Sequence, residues 1–184
     1  TGFKFSKGEY IMFLDDDDTW EPQKVEKQLG VLKKNPQVGL VYSGRKIVSD
    51  SNRNIVLFTI PPTKKGILYP QILYKNFIGT TSSVAIQKEL FFKVGGFDTD
   101  MPALQDYDLW IRCCRSSIVD FDDGCNVRYT VADDPSKQIS GRKTNHEKAI
   151  KLIEKKYKQE MRDQGFVGKR KIMSSLYFYV AKSQ

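Results

Sequence analysis

Four consecutive aspartates, Asp15 to Asp18, follow directly on the apolar run Tyr10 to Leu14. Like charges packed side by side repel, and a cation among them offsets that cost. Alternate residues of an extended segment point the same way, so Asp15 and Asp17 are expected to share a direction. Two carboxylates placed so suit a hard divalent ion, Mn2+ or Mg2+, which keeps open positions for substrate phosphates. Capping of a helix over residues 19–32 accounts for one of the four, Asp18; it leaves the other three unexplained. A second acidic pair lies in Leu-Gln-Asp-Tyr-Asp-Leu-Trp-Ile-Arg, residues 104–112. Asp106 and Asp108 fall in the first turn of a predicted helix, near its positive end, where the ionised carboxylate is favoured. A carboxylate there can take the proton of a hydroxyl that becomes acidic in a transition state. The competing reading is the ordinary acidic decoration of a helix start.

The elements around these residues alternate. The run before Asp15 is continuously apolar, as in a strand buried on both faces of a mostly parallel sheet. Pro22 suits the first turn of a helix, Val25, Gln28, Leu29 and Leu32 follow at helical spacing, and Pro36 ends the pattern. Residues 38–42 predict a second buried strand, and 45–60 a hairpin around a polar turn. A short helix is expected within 67–75 and a strand at 80–86. A helix over 88–94 should stop at Gly95-Gly96, where a left-handed cap needs glycine. Leu104, Tyr107, Ile111 and Cys114 make one helical stripe. Two short strands close the body, at 117–121 and 126–131. The class is α/β. In such sheets ligands bind beyond the carboxyl ends of strands, which is where Asp15 to Asp18 stand.

The charge is unevenly distributed. Of the net +8, residues 142–184 hold 12 Lys/Arg and 4 Asp/Glu, and the first 141 residues hold 18 of each. A neutral body with a basic appendage argues against a nucleic-acid-binding body, whose footprint belongs on the folded face. In the appendage Ile150, Ile153, Tyr157 and Met161 form an apolar seam. A second apolar segment follows Gly165 and Gly168, so two helices packed on the body are expected. Tyr177, Phe178 and Tyr179 are assigned to the core. The lysines there are read as the solvated side of an amphipathic helix, with peripheral contact to an anionic membrane as the alternative. The three cysteines, Cys113, Cys114 and Cys125, have neither a disulfide nor a zinc pattern and suggest a reduced, cytoplasmic setting. His146 stands alone and is read as a surface residue.

Three blocks together, residues 8–28 around the aspartates, 80–98 and 105–112, resemble the family 2 glycosyltransferases of GT-A fold, in order and spacing, across about residues 6–130. The resemblance implies transfer of a sugar from a nucleotide diphosphate, a UDP-sugar being the expected donor, to the hydroxyl of a saccharide or lipid-linked acceptor, usually with inversion. It implies a Rossmann-like mixed sheet with flanking helices over residues 1–141 and a helical extension over 142–184. By the same resemblance Asp15 and Asp17 are the ends of a D-x-D signature, with Asp17 the closer metal ligand and Asp15 towards the ribose and diphosphate. Asp16 lies between them in the donor-binding turn, and Asp106 is the general base. The chain departs from the family's pattern in three ways. Gln105 stands where Glu is usual, and Ala132 where many relatives carry a histidine, Asp133 or Asp134 being candidates to compensate. Roughly two βα units that grip base and ribose in relatives are lacking, so a portion of a longer protein is expected. The function implied is cell-surface polysaccharide or glycoconjugate synthesis, at the inner face of the membrane. The alternative is a non-catalytic domain that binds sugar nucleotide or a partner protein.

Overall fold

Among the described residues, eight strands form two four-stranded sheets. The computed structural model describes residues 2–132 and 143–182. After a single helical turn, α1 (Gly2–Phe5), the apolar run enters β1 (Tyr10–Met12). The first sheet has the order β1-β6-β3-β7, built with β3 (Val38–Tyr42), β6 (Val84–Gln87) and β7 (Ile118–Phe121). β6 is antiparallel to both β1 and β3, and β3 is parallel to β7. The carboxyl ends of β1, β3 and β7 therefore meet the start of β6 at one edge. All five residues of β3 are buried, as expected of a strand covered on both faces.

The second sheet runs off that edge in the order β2-β8-β4-β5. Its strands are β2 (Thr19–Trp20), β4 (Arg45–Ser49), β5 (Val56–Ile60) and β8 (Val127–Val131). β4 and β5 form the expected hairpin, and β4 lies parallel to β8. The helix placed at 19–32 begins later, as α2 (Lys24–Lys34), because Thr19 and Trp20 pair with Arg128 and Val127 instead. Pro22 stands ahead of the helix, not in its first turn. The inward stripe of α2 is Lys24, Gln28 and Leu32, with Val25 exposed. Buried Lys24 donates to Gln28 Oε1 at 2.8 Å and lies 4.1 Å above the Trp20 ring. Burial pushes its ammonium down to about 7, against the pull of Asp122.

The strand at 80–86 is shorter than expected. A 3-10 turn, Thr81–Ser83, precedes β6, as another, Gln71–Tyr74, fills the region read as a short helix. The helix before the double glycine is α3 (Lys88–Lys93), closed by Gly95 and Gly96 at φ +84 and +65, both in the left-handed region. α4 (Gln105–Ser116) buries Tyr107, Ile111 and Cys114 as the stripe requires. The three cysteines are free thiols.

The basic appendage forms three helices where two were expected: α5 (Lys143–Lys156), α6 (Lys158–Asp163) and α7 (Gly165–Lys182). The chain turns into α7 at Gly165, whose φ is +72, and Gly168 lies inside the helix. Ile150, Ile153, Tyr157 and Met161 are buried and join the hydrophobic cluster of the body, with Leu40, Tyr107, Trp110 and Val119 among its members. The placement of Tyr177 and Phe178 in the core is corrected. They are 48% and 58% exposed, because α7 turns Ile172, Leu176 and Val180, at spacings of four, toward the body. Tyr179 alone of the three packs inward, with its ring 6.1 Å from that of Tyr107.

Candidate active site

The four aspartates form a turn, not an extended run. The amide of Asp18 donates to the carbonyl of Asp15 at 3.1 Å, so the alternation argument for Asp15 and Asp17 does not apply. The turn is fixed from two sides by residues distant in sequence. The Thr81 hydroxyl donates to Asp15 Oδ2 at 2.8 Å, and the Asp15 amide donates to Ser82 Oγ at 3.1 Å. From β8, the Thr130 amide donates to Asp18 Oδ1 at 3.1 Å and its hydroxyl donates to the carbonyl of Asp17. Trp20 adds a bond from its indole Nε1 to the Ser82 carbonyl at 2.9 Å.

This geometry separates the aspartates. Asp18 is buried and caps no helix; its carboxylate is a fastening to β8. Burial pushes its carboxyl above the ordinary range, the Ser82 hydroxyl and Thr130 amide drawing it back, and Asp17 and Asp15 adding to the rise. Its Oδ2 has no hydrogen-bond partner among the described residues. Asp15, Asp16 and Asp17 are exposed, and none of them forms an ion pair among the described residues. Three unneutralised carboxylates beside one buried oxygen without a partner fit a divalent cation. Among the described residues no three His, Cys, Asp or Glu side chains form a ready cage. Asp15, Asp16 and Asp17 are the exposed carboxylates that could hold such an ion, at an open site completed by a ligand's oxygens.

Asp106 is the second residue of α4, which follows directly on Leu104 at φ +57. One oxygen accepts from the amide of Tyr107 at 2.7 Å. Burial pushes the carboxyl up to about 6; the guanidinium of Arg45 opposes the shift and Asp15 adds to it. The two motifs, 91 positions apart by numbering, thus share one electrostatic neighbourhood. Gln105 beside it is exposed. Asp108, paired with Asp106 in the sequence, faces away from this corner and is wholly buried toward α5. Its Oδ2 accepts from Arg112 Nε and Nη2 at 3.0 and 2.7 Å, and its Oδ1 from Lys156 Nζ and Tyr157 Oη at 2.6 and 2.9 Å.

Residues the sequence left unremarked complete the corner. One turn along α4 from Asp106, the Trp110 indole donates to the Gly79 carbonyl at 3.0 Å. Gly79 stands at φ +98, and Asn76 Oδ1 accepts its amide at 2.9 Å. Arg45, first residue of β4, lies against the bare Cα of Gly79. A Cβ there would fall 1.4 Å from Arg45 Nη1. The four residues Gly79 to Ser82 therefore carry the chain from Arg45 to Asp15. Only the hydroxyl-rich composition of Thr-Thr-Ser-Ser hinted at this, and β-strand propensity explained it equally well. Ala132 is half-buried, and Asp133 and Asp134 lie outside the described residues. His146 sits half-buried in α5, not at the surface, with Nδ1 unpartnered among the described residues.

An acidic turn at a strand end, a carboxylate at a helix start and a mixed parallel sheet can be compared with known proteins. A family model described as glycosyltransferase like family 2 matches residues 1–181. An uncharacterized glycosyltransferase of Haemophilus influenzae is 33% identical over 157 residues, 85% of this chain and 53% of that protein. WfgD of Escherichia coli, named as a UDP-Glc:alpha-D-GlcNAc-diphosphoundecaprenol beta-1,3-glucosyltransferase, is 31% identical over 117 residues, 64% of this chain and 43% of that protein. The crystal structure of residues 1–349 of S. aureus TarS in complex with UDP-GlcNAc superposes with a TM-score of 0.61 at 14% identity, over 96% of this chain and 50% of that one. At that identity the likeness bears on the fold, which is GT-A. The chain spans about half the length of the curated relatives it matches. With the family model covering nearly every residue and both sequence blocks of the corner lying within it, the chain belongs to glycosyltransferase-like family 2.

Proposed function

We propose that this chain carries the transfer site of a metal-dependent, inverting glycosyltransferase that takes a nucleotide sugar, most simply a UDP-sugar, and glycosylates a saccharide or lipid-linked acceptor in polysaccharide or glycoconjugate synthesis. The observation that carries this reading is the meeting of the acidic turn and Asp106 in one corner, with Arg45 and Asp15 both felt by the Asp106 carboxyl. Asp15 and Asp17 hold the cation side of the donor diphosphate, with Asp16 beside them. A bound Mn2+ or Mg2+ supplies Lewis-acid neutralisation of the charge on the departing nucleoside diphosphate. Asp106 takes the acceptor hydroxyl's proton as the oxygen attacks the anomeric carbon from the face opposite the leaving group. A carboxyl near 6 is ionised at neutral pH yet more basic than a solvated aspartate, which suits a general base. The UDP-Glc named for WfgD and the UDP-GlcNAc bound to TarS support a UDP-sugar donor, and the diphosphoundecaprenol named for WfgD supports a lipid-linked acceptor. Work at the inner face of the membrane suits such an acceptor; no described helix is long and apolar enough to cross a bilayer.

The test pairs two variants. Asp106→Asn keeps Mn2+-dependent UDP binding and loses UDP release from a panel of UDP-sugars with acceptor. Asp17→Asn loses the metal-dependent part of UDP binding. UDP binding lost in Asp106→Asn, or unchanged in Asp17→Asn, overturns these assignments.

A further inference from the structure

We propose that Arg45 is a ligand-binding residue of this site and that its guanidinium takes a phosphate oxyanion of a substrate; the inference rests on the transfer-site reading above. Arg45 differs from the other half-buried guanidinium groups of the chain. Arg112 is paired with Asp108 and with the carbonyls of Val94 and Gly96. Arg128 is held by Glu21. Lys46, next to Arg45, is also tied to Glu21, at 2.6 Å. The Arg45 guanidinium has neither a hydrogen bond nor an ion pair among the described residues, although the residue is half-buried. Its charge is felt by Asp106 and Asp18, with Tyr129 and Tyr179 also facing it, yet neither carboxylate comes within ion-pair range. Withdrawing a guanidinium from water without giving it an acceptor is costly, so an acceptor from outside the protein is the simplest completion.

The position is also built. Gly79 leaves the space that the guanidinium fills, since a Cβ there would fall 1.4 Å from Arg45 Nη1 and 2.3 Å from its Cζ. Gly79 is itself held by Asn76 through its amide and by Asn76 and Trp110 through its carbonyl. The glycine against which Arg45 lies is thereby tied to α4, the element that carries Asp106, and leads on to Thr81 and Asp15. A planar fork of N–H donors matches phosphate geometry, bidentately where the approach allows. The corner has a chemical need for it. Asp15, Asp16, Asp17 and Asp106 all repel a phosphate, and Arg45, whose charge acts on Asp106 and Asp18, forms no ion pair with another side chain among the described residues. In this reaction phosphate oxyanions come from two sources, the donor diphosphate and a phosphate-linked acceptor.

Binding measurements on the chain distinguish the sources. UDP with Mn2+ is one probe and a short-chain prenyl diphosphate the other, each titrated into wild type, Arg45→Gln, Arg45→Lys and Asp17→Asn. Loss of a charged, fixed donor predicts about ten- to a hundredfold weaker binding of one probe in Arg45→Gln. Arg45→Lys is expected in between, since it keeps the charge and loses the fork. Weakening of UDP assigns Arg45 to the donor; weakening of the prenyl diphosphate alone assigns it to the acceptor. Equal affinity of wild type and Arg45→Gln for both probes overturns the proposal, as does a wild-type chain that binds neither. If Asp17→Asn abolishes Mn2+-dependent UDP binding while Arg45→Gln changes nothing, the role of Arg45 fails and the transfer site stands. Circular dichroism and melting of each variant separate a folding defect from a lost contact: a variant that melts as wild type does yet binds weakly supports the proposal. Weak binding only in a variant that is unfolded at the assay temperature, with folded Arg45→Lys binding as wild type, counts against it.

Discussion

Replacing Asp108 by alanine should unfold the protein far more readily than neutralising Asp106 two residues earlier. The Asp108 side chain is fully buried and accepts four hydrogen bonds: two from Arg112, one from Lys156 and one from Tyr157. Alanine leaves Arg112 with the Val94 and Gly96 carbonyls alone and Lys156 with half-buried Asp98 alone. The Tyr157 hydroxyl, whose ionisation burial already pushes upward and the nearby Asp108 charge pushes further, keeps only a 3.4 Å contact to a carbonyl. Removing one partner of a buried pair and stranding the others costs about 3–5 kcal/mol. For a chain of this size each kcal/mol lowers the melting point by roughly 2–4 °C, so a fall of roughly 6–20 °C is expected. Urea unfolding followed by circular dichroism measures this as a lower midpoint with an unchanged slope. Because Lys156 and Tyr157 belong to the α5 end, hydrogen exchange there should accelerate as well. A loss under about 1 kcal/mol, or one no greater than that of Asp106→Asn, would refute the assignment of Asp108 to the structural junction between α4 and the appendage.

The Asp106 carboxyl titrates near 6 when folded and near 3.8 when unfolded, so the unfolded chain holds fewer protons between those values. Wild type therefore loses stability as pH rises through that window, and Asp106→Asn should be the more stable protein at pH 8, with the gap closing toward pH 4; melting curves across that range that run parallel would contradict it. The two faces of α7 should respond oppositely to truncation. Leu176→Ala is expected to cost about 2–5 kcal/mol as a buried deletion, whereas Tyr177→Ser should stay within about 0.5 kcal/mol by chemical unfolding.

Periodicity and local chemistry carried much of the fold. A continuously apolar run meant a strand covered on both faces, and β3 is buried throughout because neighbours and helices leave it no solvent side. Gly95-Gly96 stopped α3 because left-handed backbone favours glycine. The seam Ile150, Ile153, Tyr157, Met161 packed inward because helical spacing brings those positions to one face. The reading of α7 failed for the complementary reason. A run of aromatics says nothing of which face meets the body, and the spacing of Ile172, Leu176 and Val180 decided it.

The sequence by itself determined that carboxylates crowd after Leu14 and that another pair opens a helix near residue 105, since side-chain type and local spacing are properties of the chain alone. Tertiary structure decided what each carboxylate does. Thr130 from β8 claims Asp18, and Thr81 and Ser82 ahead of β6 hold Asp15 and fasten the turn, leaving the Asp16 and Asp17 carboxylates to solvent. Lys156 and Tyr157 of the appendage claim Asp108, while Asp106 keeps its place beside Arg45. Those partners lie tens to more than a hundred positions away, and an ionisable group takes its role from the charges, donors and solvent around it, which only the folded chain brings together.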